Sequence, residues 1–345
     1  MSAPARVLIV RLSSLGDILL ATPVIDRVRA AWPGAHVTFL VDLGYADLVR
    51  THPGVDRVVE FDAQGVHRGP GGIAALAESL RPVDLVIDLQ HKVRSVLLSL
   101  MLRPVRRLQL VKRNTPETLR ALLGRDTILR GPHQIERNLA VLEGEVPPPP
   151  EGFRPRPSLR LDPGWQEQAR RRLPPAEVPF AGLVLGARHR TKLWPARHWE
   201  ALCRRLLERG VRPVLIGDPA HGVPAGVVAG RIGRNLPIIE GGSLGELAGV
   251  LGRCRVVVSP DSGPAHMAAA LGIPVVALFG PTSPERWAPL GERVVVLSLA
   301  LACSPCSNHG SAACPLGTLE CLEVLSPERV AGEALRLVHA AGEGS

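Results

Sequence analysis

Short apolar runs alternate with helix-length amphipathic segments along the chain. In the first half the runs are Val7–Val10, Val37–Val41, Val58–Phe61, Asp84–Leu89 and Leu108–Val111. In the second they are Gly182–Leu185, Pro213–Ile216, Val256–Ser259, Val275–Phe279 and Val294–Leu297. Runs this short and this apolar read as strands covered on both faces, and the helical segments between them as βα crossovers. The pattern predicts an α/β protein with parallel sheets. Val146-Pro147-Pro148-Pro149-Pro150, with Pro155 and Pro157, breaks the alternation and reads as a stiff linker. A helix over Gln134 to Leu142 closes the first half, and an apolar helix over Pro327 to Ala341 closes the chain. The expected domains are therefore 1–150 and 151–325, with 326–345 carrying the last helix.

The polar residues gather where these strands end, which is where open parallel sheets bind ligands. Val256–Val258 leads into Pro260-Asp261-Ser262-Gly263-Pro264-Ala265-His266 and a small-residue helix. The free N–H groups of a helix start favour an anion such as a diphosphate. Gly263 allows close backbone approach, and Asp261 and His266 offer an acceptor and a titratable group. Alternatively, Asp261 or Ser262 caps the helix and His266 is a satisfied turn residue. After Val7–Val10 comes Arg11-Leu12-Ser13-Ser14-Leu15-Gly16-Asp17 and an apolar helix from Ile18. A carboxylate at Asp17 suits a general base or a helix N-cap, and spacing does not choose between them. Gly186 to Lys192 forms a short basic loop between a strand and the helix near Pro195, placed for a diphosphate or simply solvated.

Taken together, Arg11-Leu-Ser-Ser-Leu-Gly-Asp17, Lys192-Leu-Trp-Pro195 with His198-Trp199, Asp261-Ser-Gly-Pro-Ala-His266 and Phe279-Gly-Pro-Thr282 resemble the family 9 glycosyltransferases, the lipopolysaccharide heptosyltransferases. The resemblance spans nearly the whole chain. It implies two Rossmann-like parallel-sheet domains facing a cleft, the GT-B fold, with the last helix packing back on the first domain. It implies an inverting transfer of heptose from ADP-heptose to the lipopolysaccharide inner core. Asp17 would be the catalytic base. Thr191, Lys192, Asp261, Ser262, Gly263 and His266 would bind the donor, with Lys192 on its phosphates. Ser14, Gly16, Gln90, Arg94 and Arg120 would bind the acceptor. Many family members carry a glutamate near the position of His221 or Gly222 that holds ribose hydroxyls. Here it is missing, with Asp218 nearby, so another donor within the family stays open.

Composition narrows this further. The chain has 345 residues, 46% hydrophobic and 21% charged, which is globular and long enough for two domains. The net charge of +9 suits an anionic partner or reflects an arginine-rich genome. One Tyr and five Phe leave few stacking platforms, which argues against nucleic acid. Arg94, Arg103, Arg106, Arg107, Lys112, Arg113 and Arg120 form a basic series suited to an anionic glycolipid at a membrane surface. Arg6, Arg11 and Asp17 break the first apolar run, so no secretory signal is read there. No stretch is long and apolar enough to span a bilayer. A cytoplasmic protein, peripheral on the inner membrane, is expected. No Asp-x-Asp motif sits at a strand end, so no metal is expected in the chemistry. Four cysteines cluster as Cys303-x2-Cys306-x7-Cys314-x6-Cys321. They are compatible with a structural zinc or iron–sulfur site, with free thiols or with a redox-labile pair.

Two functions of other classes remain. A dinucleotide oxidoreductase would fit the sheets, but no Gly-x-Gly-x-x-Gly follows the first strand and Asp17 would repel a pyrophosphate. A non-catalytic glycan-binding protein would be free to lose Asp17, Lys192, Asp261 and His266, all of which are present.

Overall fold

The computed structural model describes residues 3–110, 130–218 and 220–340. The main division of the chain falls between Arg160 and Leu161. The first unit holds β1 (Arg6–Val10), β2 (His36–Asp42), β3 (Arg57–Phe61), β4 (Leu85–Asp88) and β5 (Arg106–Gln109). They form one parallel sheet in the order β3-β2-β1-β4-β5. The second unit holds β6 (Phe180–Val184), β7 (Arg212–Gly217), β8 (Ile238–Glu240), β9 (Cys254–Pro260), β10 (Val275–Leu278) and β11 (Val294–Leu297). Its order is β11-β10-β9-β6-β7-β8, again parallel.

In both sheets the strand order reverses at the first strand. β1 lies between β2 and β4, and β6 lies between β7 and β9. Loops leaving two such neighbours diverge to opposite faces and leave a crevice outside the strand ends. The crevice of the first unit is therefore lined by the loops after β1 and β4, and that of the second by the loops after β6 and β9. Ser14, Gln90, Lys192 and Asp261 sit on these loops, while Thr282 lies on the loop after β10. β4 and β10 are buried along their whole length, which is why they read as unbroken apolar runs. β8 escapes that reading because it has three residues, of which Ile239 alone is buried.

The first unit runs to Arg160 rather than ending at 150. Ser158 N donates to Thr22 Oγ1 at 3.1 Å, and Thr51 Oγ1 donates to the Arg160 carbonyl at 2.8 Å, so the stretch after the prolines is tied to the first sheet's helices.

The closing helix Pro327–Ala340 does not follow the resemblance. It packs on helix Ala196–Glu208 and on β9 and β10. Val330, Ala331, Ala334, Leu337 and Val338 enter the core of the second unit beside Trp199, Leu202, Val256 and Val276. Trp194 Nε1 donates to the Leu325 carbonyl at 3.0 Å and fixes the chain as it enters this helix. Arg197 and Arg205 pair with Glu323 and Glu328 around the same junction. Among the described residues no helix is long and apolar enough to cross a membrane.

Candidate functional site

In the first unit, β1 delivers the chain at Val10 into a tight turn and helix Leu15–Leu19. Ser14 is the N-cap, and Asp17, the third helical residue, is the acid of a capping box with it. Its Oδ2 accepts from Ser14 N at 3.3 Å and from Ser14 Oγ at 2.9 Å. Its Oδ1 lies 2.6 Å from Arg11 Nη2. Arg11 Nη1 donates to the Leu89 carbonyl at 2.5 Å, so one buried guanidinium joins the loop after β1 to the loop after β4. Gln90 completes the join: its Oε1 accepts from Leu12 N at 3.2 Å and Ser13 N at 3.4 Å. Asp88 Oδ1 in turn shapes the second loop by accepting from Gln90 N at 3.0 Å and His91 N at 2.9 Å.

Burial by itself would raise the Asp17 carboxyl. The Arg11 guanidinium and the Ser14 hydrogen bonds outweigh it and hold the group below the ordinary carboxylate value. Asp17 is therefore ionised at neutral pH, and its Arg11 partner reduces its strength as a base. Arg94 opens helix Val93–Leu102. Burial raises the Asp42 carboxyl at the end of β2, while Arg94 and Lys92 act against that shift. Both cations therefore stand within electrostatic reach of β2. Ser14, Gly16, Asp17 and Gln90 thus share one crevice, with Arg94 one helical start away. Arg120, with Lys112 and Arg113, lies outside the described residues.

In the second unit, β9 ends at Pro260, and Ser262 is the N-cap of helix Gly263–Ala270. Ser262 makes no side-chain capping bond there; its Oγ lies 2.9 Å from Ser259 Oγ. Asp261 is not a cap either. Its Oδ2 accepts from Lys192 Nζ at 2.6 Å and from Thr282 Oγ1 at 2.6 Å. Three motif loops thus converge on one carboxylate. The helix start beside it keeps its N–H groups clear of a capping side chain, as an anion site needs. His266 is buried in the first turns of that helix.

Thr191 ties two loops together. Its hydroxyl donates to the Ser311 carbonyl at 2.9 Å and accepts from Ser311 N at 2.9 Å, which anchors the cysteine loop to the basic loop. The cysteine loop also holds the other side: Cys306 N and Ser307 N both donate to the Pro281 carbonyl at 2.9 Å. Gly310 lies against Lys192, where an added Cβ would stand 3.0 Å from Lys192 Cε. Lys192 and Thr282 are therefore positioned by the segment carrying Cys303 and Cys306.

All six cysteines are free. Among the described residues no group of three or more His, Cys, Asp or Glu side chains is arranged to hold a metal ion. Burial pushes Cys203 and Cys254 up to about 12. Backbone N–H groups from Leu319 and Leu316 draw Cys314 the other way.

Sequence reading assigns no role to three residues at or near these sites. Arg11 follows an apolar strand directly, and a buried arginine at such a place is a usable signal in hindsight. Thr282 was visible only as part of a motif. Glu240 ends the unread strand β8, in register with Gly217 of β7. A Cβ on Gly217 would come within 2.7 Å of its Oε1. Asp218 directly follows β7 and pairs with His221 at 3.1 Å.

The sequence profile of glycosyltransferase family 9 (heptosyltransferase) matches residues 73–316. Lipopolysaccharide heptosyltransferase 1 of Pseudomonas aeruginosa is 30% identical over 312 residues, 87% of this chain and 86% of that protein. Lipopolysaccharide heptosyltransferase 1 of Escherichia coli K12 is 27% identical over 304 residues, 84% and 92% of the two chains. Among solved structures, E. coli ADP-heptose lipopolysaccharide heptosyltransferase II aligns with a TM-score of 0.74 at 22% identity, covering 98% of this chain and 99% of that one. E. coli heptosyltransferase WaaC with ADP aligns at 0.66 and 24% identity, covering 96% and 99%. The likeness to these structures is one of fold, the GT-B fold expected from the motifs.

Proposed function

We propose, taking as premise that the chain belongs to glycosyltransferase family 9 (heptosyltransferase), that it moves heptose from ADP-heptose to the inner core of lipopolysaccharide. The observation that carries this reading is the convergence of Lys192 and Thr282 on Asp261, beside the uncapped start of helix Gly263–Ala270. That arrangement offers what a nucleotide sugar needs: a cation and free N–H groups for the diphosphate, and a fixed carboxylate for sugar hydroxyls. On ADP departure, Lys192 and the helix start stabilise the negative charge that develops on the leaving diphosphate. Gly263 allows the backbone to come close to that anion. Asp218 and Glu240, at the ends of β7 and β8, are the acids available to the adenosine ribose.

The first unit supplies the other half of the reaction. Asp17 accepts the proton of the acceptor hydroxyl as that oxygen attacks the anomeric carbon from the face opposite ADP, so configuration inverts. Arg11 keeps the carboxylate ionised and oriented. Ser14, Gly16, Gln90 and Arg94 form the acceptor side, with Arg94 suited to an anionic glycolipid. Because that acceptor is lipid-anchored, the enzyme works at the cytoplasmic face of the inner membrane. No divalent metal is required, since cationic charge at the diphosphate comes from the chain itself.

The test pairs ligand binding with product analysis. ADP should raise the melting temperature while NADH and NADPH leave it unchanged, and ADP-heptose with a heptose-free core acceptor should yield a product heavier by one heptose. Stabilisation by a reduced dinucleotide, or an unmodified acceptor despite ADP binding, would reject this reading. Mass spectrometry of the core from a strain lacking the gene then identifies the acceptor sugar, by where synthesis stops.

A further inference from the structure

Helix Val93–Leu102, which starts shortly after Gln90, turns aliphatic side chains both inward and outward. The face it turns into the first unit carries Ser95 and Ser99 along with Leu98 and Leu102. Ser99 Oγ is buried without a hydrogen-bond partner. The face it turns outward carries Val93, 84% exposed, and Leu100, 59% exposed. Val105, just beyond its end, is 83% exposed. A helix shaped by packing alone would place Leu100 inside and a serine outside, because apolar area favours burial and a hydroxyl favours water. Outward aliphatic side chains grouped on one element mark a surface that is covered in use.

The charges around this face say by what. From 89 to 110 the chain has Lys92, Arg94, Arg103, Arg106 and Arg107 and no Asp or Glu. Lys92, Arg94, Arg103 and Arg107 are exposed. Asp42 on β2 is the acid that feels Lys92 and Arg94; Glu78, near the far end of the helix, is paired with Arg81. Exposed aliphatic side chains and exposed cations on the same stretch of chain match the interfacial zone of an anionic bilayer, where acyl chains take the apolar groups and phosphates take the basic ones.

We propose that helix Val93–Leu102, with Val105, is a membrane-docking element that lies in the headgroup region of an anionic lipid surface. Docking there would bring the crevice containing Ser14, Asp17 and Gln90 to headgroup level, where a lipid-anchored acceptor presents its sugars. This purpose rests on the proposed transferase reading; the docking itself does not require it.

The experiment uses the full chain and sugar-free vesicles, so it can fail independently of transferase activity. Sedimentation is compared for vesicles of phosphatidylcholine and for vesicles containing phosphatidylglycerol, at low and high salt. Wild-type protein should pellet with phosphatidylglycerol vesicles, less so at high salt, and little with pure phosphatidylcholine. The triple variant Val93→Ser, Leu100→Ser, Val105→Ser should lose about tenfold in vesicle affinity, as expected when several apolar groups leave an interface. The same variant should keep its circular dichroism spectrum and ADP affinity, which shows that it folds. A single Val105→Ser change, outside the helix, should give a smaller loss and serves if the triple variant is unstable. Three outcomes would overturn the proposal: no binding of wild type to anionic vesicles, unchanged binding by a folded variant, or a wild-type dimer in solution that the variant dissolves. The last would assign the face to a second copy of the chain.

Discussion

Arg11 Nη2 stands 2.6 Å from Asp17 Oδ1, and the same guanidinium donates to the carbonyl of Leu89. One side chain therefore holds the candidate base and fixes the loop opposite it. The pair gives Asp17 a carboxylate that is charged throughout the neutral range. Asp17→Asn should lower turnover by about 10²–10⁴-fold, the usual contribution of a positioned base, with ADP affinity near normal. Steady-state kinetics with isothermal titration checks both, and wild-type turnover in the variant would remove Asp17 from the chemistry.

Arg11→Met separates orientation from ionisation. The wild-type carboxyl is held low, so the acid limb of kcat/KM lies where pH falls through that depressed value. Without Arg11, burial remains and raises the group, so the acid limb should move to higher pH. A pH–rate profile with an unmoved acid limb would show that Asp17 does not govern it.

Lys192→Ala should weaken ADP binding by about 1.5–3 kcal/mol, the range for hydrogen bonds to charged groups. Thr282→Val should have a smaller effect, because Asp261 would keep Lys192 as its partner. Titration calorimetry reads both, and equal ADP affinity in Lys192→Ala and wild type would place the lysine outside the phosphate site.

His52 provides a stability switch that is separate from the sites. It is buried, Gly54 N donates to its Nδ1 at 3.1 Å, and its pKa is lowered from 6.5 to about 4 by burial and by Arg160. The folded state therefore resists the proton that the unfolded chain accepts. Its contribution is full above the unfolded pKa of 6.5 and declines as pH falls towards the folded value of about 4. The loss over that window should be about 3 kcal/mol. Denaturant unfolding of wild type and His52→Gln from neutral to acid pH should show a flatter curve for the variant.

The cysteines should divide by reactivity. Iodoacetamide near pH 8 should label Cys314, whose thiolate is favoured by backbone N–H groups, well before Cys203 and Cys254, which burial pushes to about 12. Peptide mass spectrometry gives the order. Labelling of Cys254 first would mean that β9 opens in solution.

Much of this protein was legible from spacing alone. Strands covered on both faces must be apolar throughout, so β1, β6, β9 and β10 announced themselves, whereas β5 is Arg106-Arg107-Leu108-Gln109 and starts two residues before the apolar run that suggested it. The sequence by itself determined the α/β class, the parallel strands, the loops that carry Asp17, Lys192 and Asp261, and the cationic character of 89–110. The tertiary structure decided which residues meet. Periodicity carries no record of distance between remote segments, so Arg11 with Leu89, Lys192 with Asp261 and Thr191 with Ser311 emerged only once both sheets had set their strand order. The same holds for the closing helix. Its apolar stripe predicts burial, but only the shape of the core around Trp199 and Val276 selects the second unit as the place. Helix Val93–Leu102 shows the limit most clearly: its sequence is apolar enough to be read as core, and only its orientation on the sheet reveals that Ser99 faces in while Val93 and Leu100 face out.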